Sequence, residues 1–272
     1  MTQQGANILR FSRSTGGATH DVVPSIEILG VRLDCPERTA LTRLMTEFVR
    51  LRRRGWISYL NVHAINLAYR NESFRNYLNS SLLTYCDGQG LRLGASILGA
   101  SIPERIAMSD WIYDVALACE ANDFRLFLLG STVEVQSKAT IALKGCFPRL
   151  LIVGSMTGYF EHDRSQEIVE TIDKAKPDIL VVGMGMPLQE EWIQRNFAKL
   201  NVQIVLNAGS CFDFVAGIRR RSPQWMGTFG LEWLYRLFQE PGRLWKRYLL
   251  GNPAFLFRVL RQRLSFSTTS HR

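Results

Sequence analysis

The sequence lacks features that would assign it to several other protein classes. Its five cysteines are scattered and include no C-x-x-C pair, so there is no sign of a zinc knuckle or a redox-active dithiol. A reduced cytosolic setting is therefore predicted. No apolar run approaches the roughly 18 to 20 residues that a spanning helix needs, and the first residues lack the apolar core of a signal peptide. We expect a protein that is neither exported nor transmembrane.

Several enzyme motifs are missing as well. There is no Asp-x-Asp pair of the kind that holds a divalent ion in many nucleotide-sugar enzymes, and no G-x-S-x-G nucleophile elbow. The nearest acidic group, Glu161-His162-Asp163, falls in a polar stretch and is interpreted as a solvent-exposed loop. The histidines and cysteines show no ligand spacing. The sequence therefore predicts no metal site and no cofactor.

The net charge of +9 is concentrated at one end of the chain. From Gly217 onward, eleven Lys and Arg residues stand against two glutamates, so the rest of the chain sums to zero. A neutral body with a basic C-terminal segment predicts an anionic partner, which could be membrane lipid, nucleic acid or a diphosphate. The alternative is a basic face that serves only solubility.

Hydrophobic patterning divides the chain into three parts. Residues 1–24 are rich in Ser, Thr, Gly and Gln and are predicted to be a flexible leader. In residues 25–216, apolar runs alternate with amphipathic stretches, which predicts strands at 26–34, 57–60, 82–86, 124–130, 150–154, 178–184 and 203–207. Runs that are apolar on both faces belong in a parallel sheet. The predicted fold is α/β, with a Rossmann-like doubly wound, mainly parallel sheet and helices on both faces.

Residues 217–272 are predicted to be a helical, membrane-associating appendage. Two aromatic-rich helical stretches are separated by Pro241-Gly242, and Gly251 and Pro253 are predicted to break the second. In that second stretch basic residues interleave with Leu244, Tyr248, Leu249, Phe255, Phe257 and Leu260. This pattern is typical of a helix that lies among anionic headgroups. The alternative, compatible with the first, is that these residues pack on the α/β body.

Polar residues follow four of the predicted strands. Ligands of doubly wound sheets bind beyond the carboxyl ends of the strands, so these residues could line one cleft. They are Asn61, His63, Asp87, Gln189, Asn207 and Asp213.

Asp87 is the candidate general base. It stands between a predicted strand and two glycines, Gly88 and Gly90, which would let a ligand approach the backbone. Taking a proton from a sugar hydroxyl needs one carboxylate near that oxygen, and partial desolvation raises the pKa of such a carboxylate. The alternative is a plain Asp-Gly turn.

Gly183 and Gly185 resemble part of a dinucleotide fingerprint, because a G-x-G turn after a strand can hold phosphate at a helix N-terminus. The third glycine is missing, and Pro187 and Gln189 occupy its neighbourhood. An NAD-dependent oxidoreductase is therefore a weak alternative. Binding of a nucleotide diphosphate at this turn remains an open alternative. A nucleic-acid-binding protein, contacting its partner through the basic segment, is the alternative from another class; no known binding motif supports it.

With these residues in view, the sequence resembles the WecG/TagA/CpsF glycosyltransferases from about Ile26 to Leu264. The matching segments are ILGVRLD, YLNVHAINLA, YCDGQGLRLG, PERIAMSDWIYD, FRLFLLGS, DILVVGMGMPLQEEWI, NAGSCFDFVAG, RRSPQW and LEWLYRLFQEPGRLWKRYLLGNP. The resemblance implies metal-independent, inverting transfer from a UDP-sugar to a sugar on undecaprenyl diphosphate. It also implies a homo-oligomer, peripheral on the inner face of the cytoplasmic membrane.

The resemblance also assigns roles to residues. Asp87 matches the proposed family base, and Asn61 and Gln189 fall on positions that contact the donor or organise the site. Asp213 and the adjoining glycine turn fall on the nucleotide end. Arg236, Arg243 and Arg247 lie in the segment that the family folds over the site, where they would neutralise diphosphate and meet the membrane. The remaining substrate-binding candidates are Tyr59, His63, Gly130, Gly183, Gly185, Asn207 and Gly209.

Two departures from the family pattern leave the donor sugar open. Tyr59 stands where relatives often have Thr, and His63 replaces a residue that is often acidic. Family members handle N-acetylmannosamine, its uronic acid or glucose, in teichoic acid, enterobacterial common antigen and exopolysaccharide pathways respectively. We favour exopolysaccharide or capsule assembly.

Overall fold

A parallel sheet of six strands forms the centre of the protein. The computed structural model describes residues 9–11, 23–161, 164–223, 226 and 230–269. The sheet strands are β4 (Gly55–Leu60), β5 (Leu83–Cys86), β6 (Leu126–Gly130), β7 (Ile152–Met156), β8 (Ile179–Gly183) and β9 (Ile204–Asn207). They stand in the order β5-β4-β9-β8-β6-β7, and each neighbouring pair is parallel.

Helices cover both faces of this sheet. They are α1 (Arg38–Arg50), α2 (Val62–Arg70), α3 (Glu72–Asn79), α4 (Gln89–Ile97), α5 (Met108–Ala121), α6 (Val133–Cys146), α7 (Ser165–Ala175), α8 (Leu188–Asn196) and α9 (Cys211–Val215). Alternate strand residues point to opposite faces, so Leu180 and Val182 pack with α2, α3, α4, α7 and α8, and Val181 packs with α1, α5, α6 and α9. The predicted doubly wound α/β fold is confirmed.

The first predicted strand, 26–34, is instead a hairpin. Strands β2 (Pro24–Ile28) and β3 (Val31–Asp34) pair antiparallel around Leu29 and Gly30, both of which have positive φ. A two-residue turn of that geometry joins strands tightly and favours glycine. The continuous apolar run concealed the turn, although Gly30 marks its place.

A short strand also lies within the predicted leader. Strand β1 (Leu9–Phe11) pairs antiparallel with β2 and completes a sheet of three strands. Residues 1–8 and 12–22 of the leader lie outside the described residues.

The C-terminal segment contains α10 (Glu232–Gln239), α11 (Pro241–Trp245), a π-helical turn (Lys246–Leu250) and α12 (Gly251–Thr269). The prediction that Gly251 and Pro253 break the helix is wrong, because the backbone stays helical through Gly251. Proline has no N–H to donate and crowds the carbonyl four residues earlier. The wider π turn accommodates that missing bond just before Pro253.

Helix α12 shares its core with the α/β body. The side chains of Phe255 and Val259 are fully buried in the cluster that covers one face of the sheet. Of the six apolar residues singled out in this stretch, Leu244, Tyr248 and Phe255 are buried, whereas Leu249, Phe257 and Leu260 are exposed. Packing on the body and an exposed apolar surface therefore coexist. Within the described ranges, none of the helices is long and apolar enough to cross a bilayer.

Candidate active site

Loops after four adjacent strands bring predicted site residues to one edge of the sheet. Asn61 follows β4 and Asp87 follows β5, while the turns at 183–185 and 207–210 follow β8 and β9. Asn61 caps α2, because its Oδ1 accepts a hydrogen bond from the Ala64 N–H at 3.0 Å. Gly88 lies against the Cβ of Asn61, so the β4 and β5 loops are in contact.

Asp87 occupies the charged centre of this edge. Its backbone N–H donates to the Leu60 carbonyl at 2.7 Å, which anchors the residue at the strand end. Burial raises the pKa of the Asp87 carboxyl above its usual range, and the nearby guanidinium groups of Arg105, Arg236 and Arg247 act in the opposite direction. A carboxylate with a raised pKa close to several cations suits proton abstraction beside an anionic leaving group.

Gln189 ties the two glycine turns together. Its buried Oε1 accepts from the Gly209 N–H at 2.9 Å and from the Gly185 N–H at 3.3 Å. Its Nε2 donates to Glu190 at 2.7 Å and lies 3.4 Å from the Tyr59 hydroxyl. Four of the predicted residues, Tyr59, Gly185, Gln189 and Gly209, thus meet in one hydrogen-bonded group.

The glycines at this edge serve two different purposes. A Cβ on Gly130 would lie 2.3 Å from the Gly183 carbonyl oxygen, and one on Gly209 would lie 2.4 Å from the Tyr59 hydroxyl. These glycines let neighbouring turns pack closely. Gly185, with φ of +81°, has no atom within 4 Å of the position its Cβ would take, so its outer side is open. Among these glycines, Gly185 has the room for a ligand.

Asn207 lies deeper than predicted. Only 1% of the residue is exposed. Its Oδ1 accepts from the hydroxyls of Tyr77 and Ser58, and its Nδ2 donates to Glu190 at 2.9 Å. Asn207 therefore belongs to a buried network beneath the cleft and would influence a ligand through Glu190 and Gln189.

Asp213 links the β6 turn to the C-terminal segment. Its carboxylate accepts from the Ser131 hydroxyl at 2.8 Å and pairs with Arg219 at 3.0 Å. Arg219 also pairs with Glu240 at 2.6 Å, and Glu240 directly precedes α11. This chain of ion pairs holds the start of the C-terminal helix beside the sheet edge.

The three predicted arginines take different positions. Arg247, in the π turn, is partly buried, and burial lowers its pKa; Asp87 is among the anions acting on it. Arg236 acts on the Asp87 carboxyl and stacks 6.0 Å from the centre of the Phe214 ring. Arg243 is exposed and pairs with Glu240 at 2.5 Å. The structure thus brings Arg236 and Arg247 towards Asp87.

His63 is held as a neutral imidazole. Burial, together with the cationic groups of Arg247 and Arg243, lowers the pKa of His63 to about 4. At neutral pH its ring nitrogens can donate one hydrogen bond and accept another, so His63 adds no charge between these arginines.

Sequence reasoning missed two charged residues. Arg105, which precedes α5, is the cation with the largest effect on Asp87, and it pairs with Glu232 of the C-terminal segment. Glu190 is 2% exposed and stands beneath Gln189. Arg105 follows no strand, and Glu190 is one of two adjacent acidic residues on an amphipathic helix, so neither carried a strand-end signal. Both lie in segments quoted for the family resemblance.

No three His, Cys, Asp or Glu side chains cluster as metal ligands within the described part of the chain. His162 and Asp163, from the acidic group interpreted as an exposed loop, lie outside that part. The described site contains a carboxyl group with a raised pKa, several guanidinium groups and two glycine turns.

Comparisons with known proteins identify the family of this chain and several relatives. Two relatives from Staphylococcus aureus, of strains MRSA252 and MW2, are each 26% identical over 238 residues, covering 86% of this chain and 91% of the relative. Both carry the name N-acetylglucosaminyldiphosphoundecaprenol N-acetyl-beta-D-mannosaminyltransferase. The model of the glycosyl transferase WecG/TagA/CpsF family matches residues 26–269. The chain therefore belongs to the WecG/TagA/CpsF family of glycosyltransferases.

Proposed function

We propose that the protein is an inverting, metal-independent transferase that moves a hexose from a UDP-sugar to a sugar linked to undecaprenyl diphosphate. The names of the Staphylococcus aureus relatives make N-acetylmannosamine the first donor sugar to test, ahead of its uronic acid and glucose. The product would enter an exopolysaccharide, capsule or other cell-surface polymer at the inner face of the cytoplasmic membrane.

The observation that carries this proposal is the Asp87 carboxyl, whose pKa is raised by burial among arginines at a strand end. Asp87 takes the proton of the acceptor hydroxyl as that oxygen attacks the anomeric carbon. The bond from the anomeric carbon to the UDP oxygen breaks on the opposite side, and its electron pair stays with the diphosphate. One displacement of this kind inverts the configuration at the anomeric carbon.

Cationic side chains replace a metal ion in this proposal. Arg105, Arg236 and Arg247 all act on the Asp87 carboxyl, so they are close to the place where leaving-group charge develops. Guanidinium groups bind phosphate oxygens strongly in such poorly solvated surroundings. Arg243, which is more exposed, would meet the diphosphate of the acceptor lipid.

The remaining site residues bind the donor. The nucleotide diphosphate binds against the open side of Gly185 and the turn at Gly209, both of which are hydrogen-bonded to Gln189. Asp213 lies at the end of the cleft that receives the nucleotide. Asn61 and the neutral His63 contact the sugar near Asp87. Tyr59 and Gly130 shape the floor of the cleft.

The C-terminal segment gives the protein its membrane partner. It combines a basic charge with exposed apolar side chains, among them Phe257 and Leu264. Nucleic acid is the less favoured partner, because two of the segment's arginines, Arg236 and Arg247, act on Asp87 rather than forming a separate surface. Assembly into a homo-oligomer is part of the same proposal.

Substitution of the base tests the mechanism. Asp87→Asn removes the proton acceptor, so transfer from UDP-N-acetylmannosamine to a short-chain lipid-diphosphate acceptor should fall by about 100-fold or more, while UDP binding measured by calorimetry stays intact. Asp178→Asn is the matched control, because this carboxylate stands at the opposite edge of the sheet and accepts a bond from the Arg125 N–H. Substantial turnover by Asp87→Asn would refute the assignment of the base.

A further inference from the structure

Glu190 is a buried ionisable group for which the transfer mechanism has no direct use. It is 2% exposed, and burial raises its pKa to about 7. A buried carboxyl is costly unless it is well hydrogen-bonded. Its Oε1 accepts two bonds, from Gln189 Nε2 at 2.7 Å and from Asn207 Nδ2 at 2.9 Å.

These two bonds determine which way both amide groups face. The Oε1 atom accepts both of these bonds, so each amide turns its nitrogen towards Glu190 and its oxygen away. The oxygen of Gln189 then accepts the N–H groups of Gly185 and Gly209. The oxygen of Asn207 accepts the Ser58 and Tyr77 hydroxyls at 3.2 and 3.0 Å.

The second carboxyl oxygen of Glu190 makes no direct contribution to this arrangement. Glu190 Oε2 is buried and has no hydrogen-bond partner among the described residues. Glu190 also lines a cleft of about 250 Å³ between α3 and α8, together with Asn71, Phe74 and Gln194. The orienting function therefore rests on Oε1 alone.

We propose that Glu190 is a positioning residue, which orients Gln189 and Asn207 and thereby holds the glycine turns at 183–185 and 208–210 in the spacing that receives the nucleotide diphosphate. The part of this inference that concerns the nucleotide rests on the proposed function. The part that concerns the two turns does not, because it follows from contacts within the protein.

Hydrogen exchange tests the positioning role without any ligand. Glu190→Leu removes the acceptor of the shortest bond from Gln189 Nε2, so the amide of Gln189 is held less firmly. Amide exchange in peptides covering 184–189 and 208–212 should accelerate up to about tenfold, the effect of losing one net hydrogen bond. Glu190→Gln keeps an oxygen acceptor and should restore slow exchange. Glu191→Leu is the matched control, because this neighbour pairs with Arg195 at 3.5 Å and makes no bond to Gln189.

A double variant shows whether Glu190 acts through Gln189. Gln189→Ala alone should accelerate the same peptides, and adding Glu190→Leu should produce little further change. Additive acceleration, or unchanged exchange in Glu190→Leu, would overturn the proposal. Acceleration across the whole protein would also overturn it, because that result would reveal general destabilisation.

Binding measurements separate this inference from the proposed function. Glu190→Leu should weaken UDP affinity and raise KM for the sugar nucleotide about tenfold, with kcat changed less than about threefold, whereas plain destabilisation lowers the active fraction and hence kcat. If the unmodified protein bound no UDP while exchange responded as expected, the nucleotide assignment would fail and the role in holding the turns would stand. Unaltered UDP affinity in Glu190→Leu, with faster exchange, would overturn the link to the nucleotide.

Discussion

Burial moves the pKa values of several side chains near the carboxyl edge of the sheet, among them Asp87, Glu190 and His63. The pKa is raised for Asp87 and Glu190 and lowered for His63. In each case burial disfavours the charged form. The result is a carboxyl group, Asp87, that retains affinity for a proton beside arginines, and a histidine, His63, that stays neutral near them. Groups with shifted pKa values that lie close together are typical of functional sites.

Glu190 should make the protein less stable as the pH rises from mildly acidic to neutral. Its pKa is 4.5 in an unfolded chain and about 7 in the folded protein. Between these values the folded state keeps a proton that the unfolded state has lost, so the free energy of unfolding falls with rising pH and levels off above about 7. The full decrease is on the order of 3 kcal/mol.

Glu190→Gln cannot ionise and should remove this decrease. Urea unfolding at pH 5 and pH 8 measures it, and contributions from other groups cancel when the variant is compared with the unmodified protein. Glu191→Gln, which alters the more accessible neighbouring carboxyl, should keep the original pH dependence. Identical pH dependence in the Glu190→Gln and unmodified proteins would contradict the expectation.

The sequence predicted those site residues whose position follows from their neighbours in the chain, and missed those that depend on distant partners. Asp87, Asn61 and Gln189 stand directly after strands or at helix starts, so their place at the sheet edge followed from the alternation of elements. Arg105 and Glu190 could not be found in this way. Their importance comes from partners far along the chain, Glu232 for Arg105 and Asn207 for Glu190.

At the scale of elements, composition predicted the parallel sheet but not the special turns. Strands such as β6 and β8 are apolar throughout, and all their residues are buried. The hairpin turn at Leu29 and Gly30 was not predicted, because the surrounding sequence is apolar. A positive φ angle does not change the pattern of apolar residues, so that pattern could not reveal the turn. The helix through Pro253 persisted because a π turn, rather than a break, accommodated the proline.

The contact between Gly94 of α4 and Phe255 of α12 should control docking of the C-terminal helix. A Cβ on Gly94 would lie 2.5 Å from the Phe255 ring, which is fully buried and has little room to move. Gly94→Ala should therefore destabilise the protein by roughly 1–3 kcal/mol through overpacking. Exchange or proteolysis of residues 241–269 should increase.

The matched control is another helical glycine. Gly145 of α6 has no atom within 4 Å of its Cβ position, so Gly145→Ala should stabilise the protein by up to about 1 kcal/mol. Adding Phe255→Leu to Gly94→Ala makes room for the new methyl group and should recover part of the lost stability. Equal responses of the two glycines to alanine would show that the ring contact does not matter.

At the scale of the whole molecule, the C-terminal helix carries both exposed basic residues and exposed apolar side chains. Phe257, Leu260 and Leu264 are spaced by three and four residues, so they share one side of α12, and each is at least half exposed. Basic residues such as Lys246 and Arg261 are exposed on the same continuous helix. Removing the segment is a poor test of its role, because Phe255 and Val259 belong to the core.

Substitution of the exposed residues is a sharper test of membrane association. Replacing Phe257, Leu260 and Leu264 with serine keeps every charge and the buried contacts, yet removes apolar area worth more than about 1 kcal/mol per side chain at the interface. Sedimentation with anionic liposomes should show at least a 100-fold weaker partition.

The matched control places serine at Leu117, Val133 and Ile141, which are similarly exposed on α5 and α6. This control should leave pelleting unchanged. Added salt should weaken binding of the control and unmodified proteins, because it screens the basic residues. Equal pelleting of the two triple variants would show that the C-terminal helix is not the membrane-binding surface.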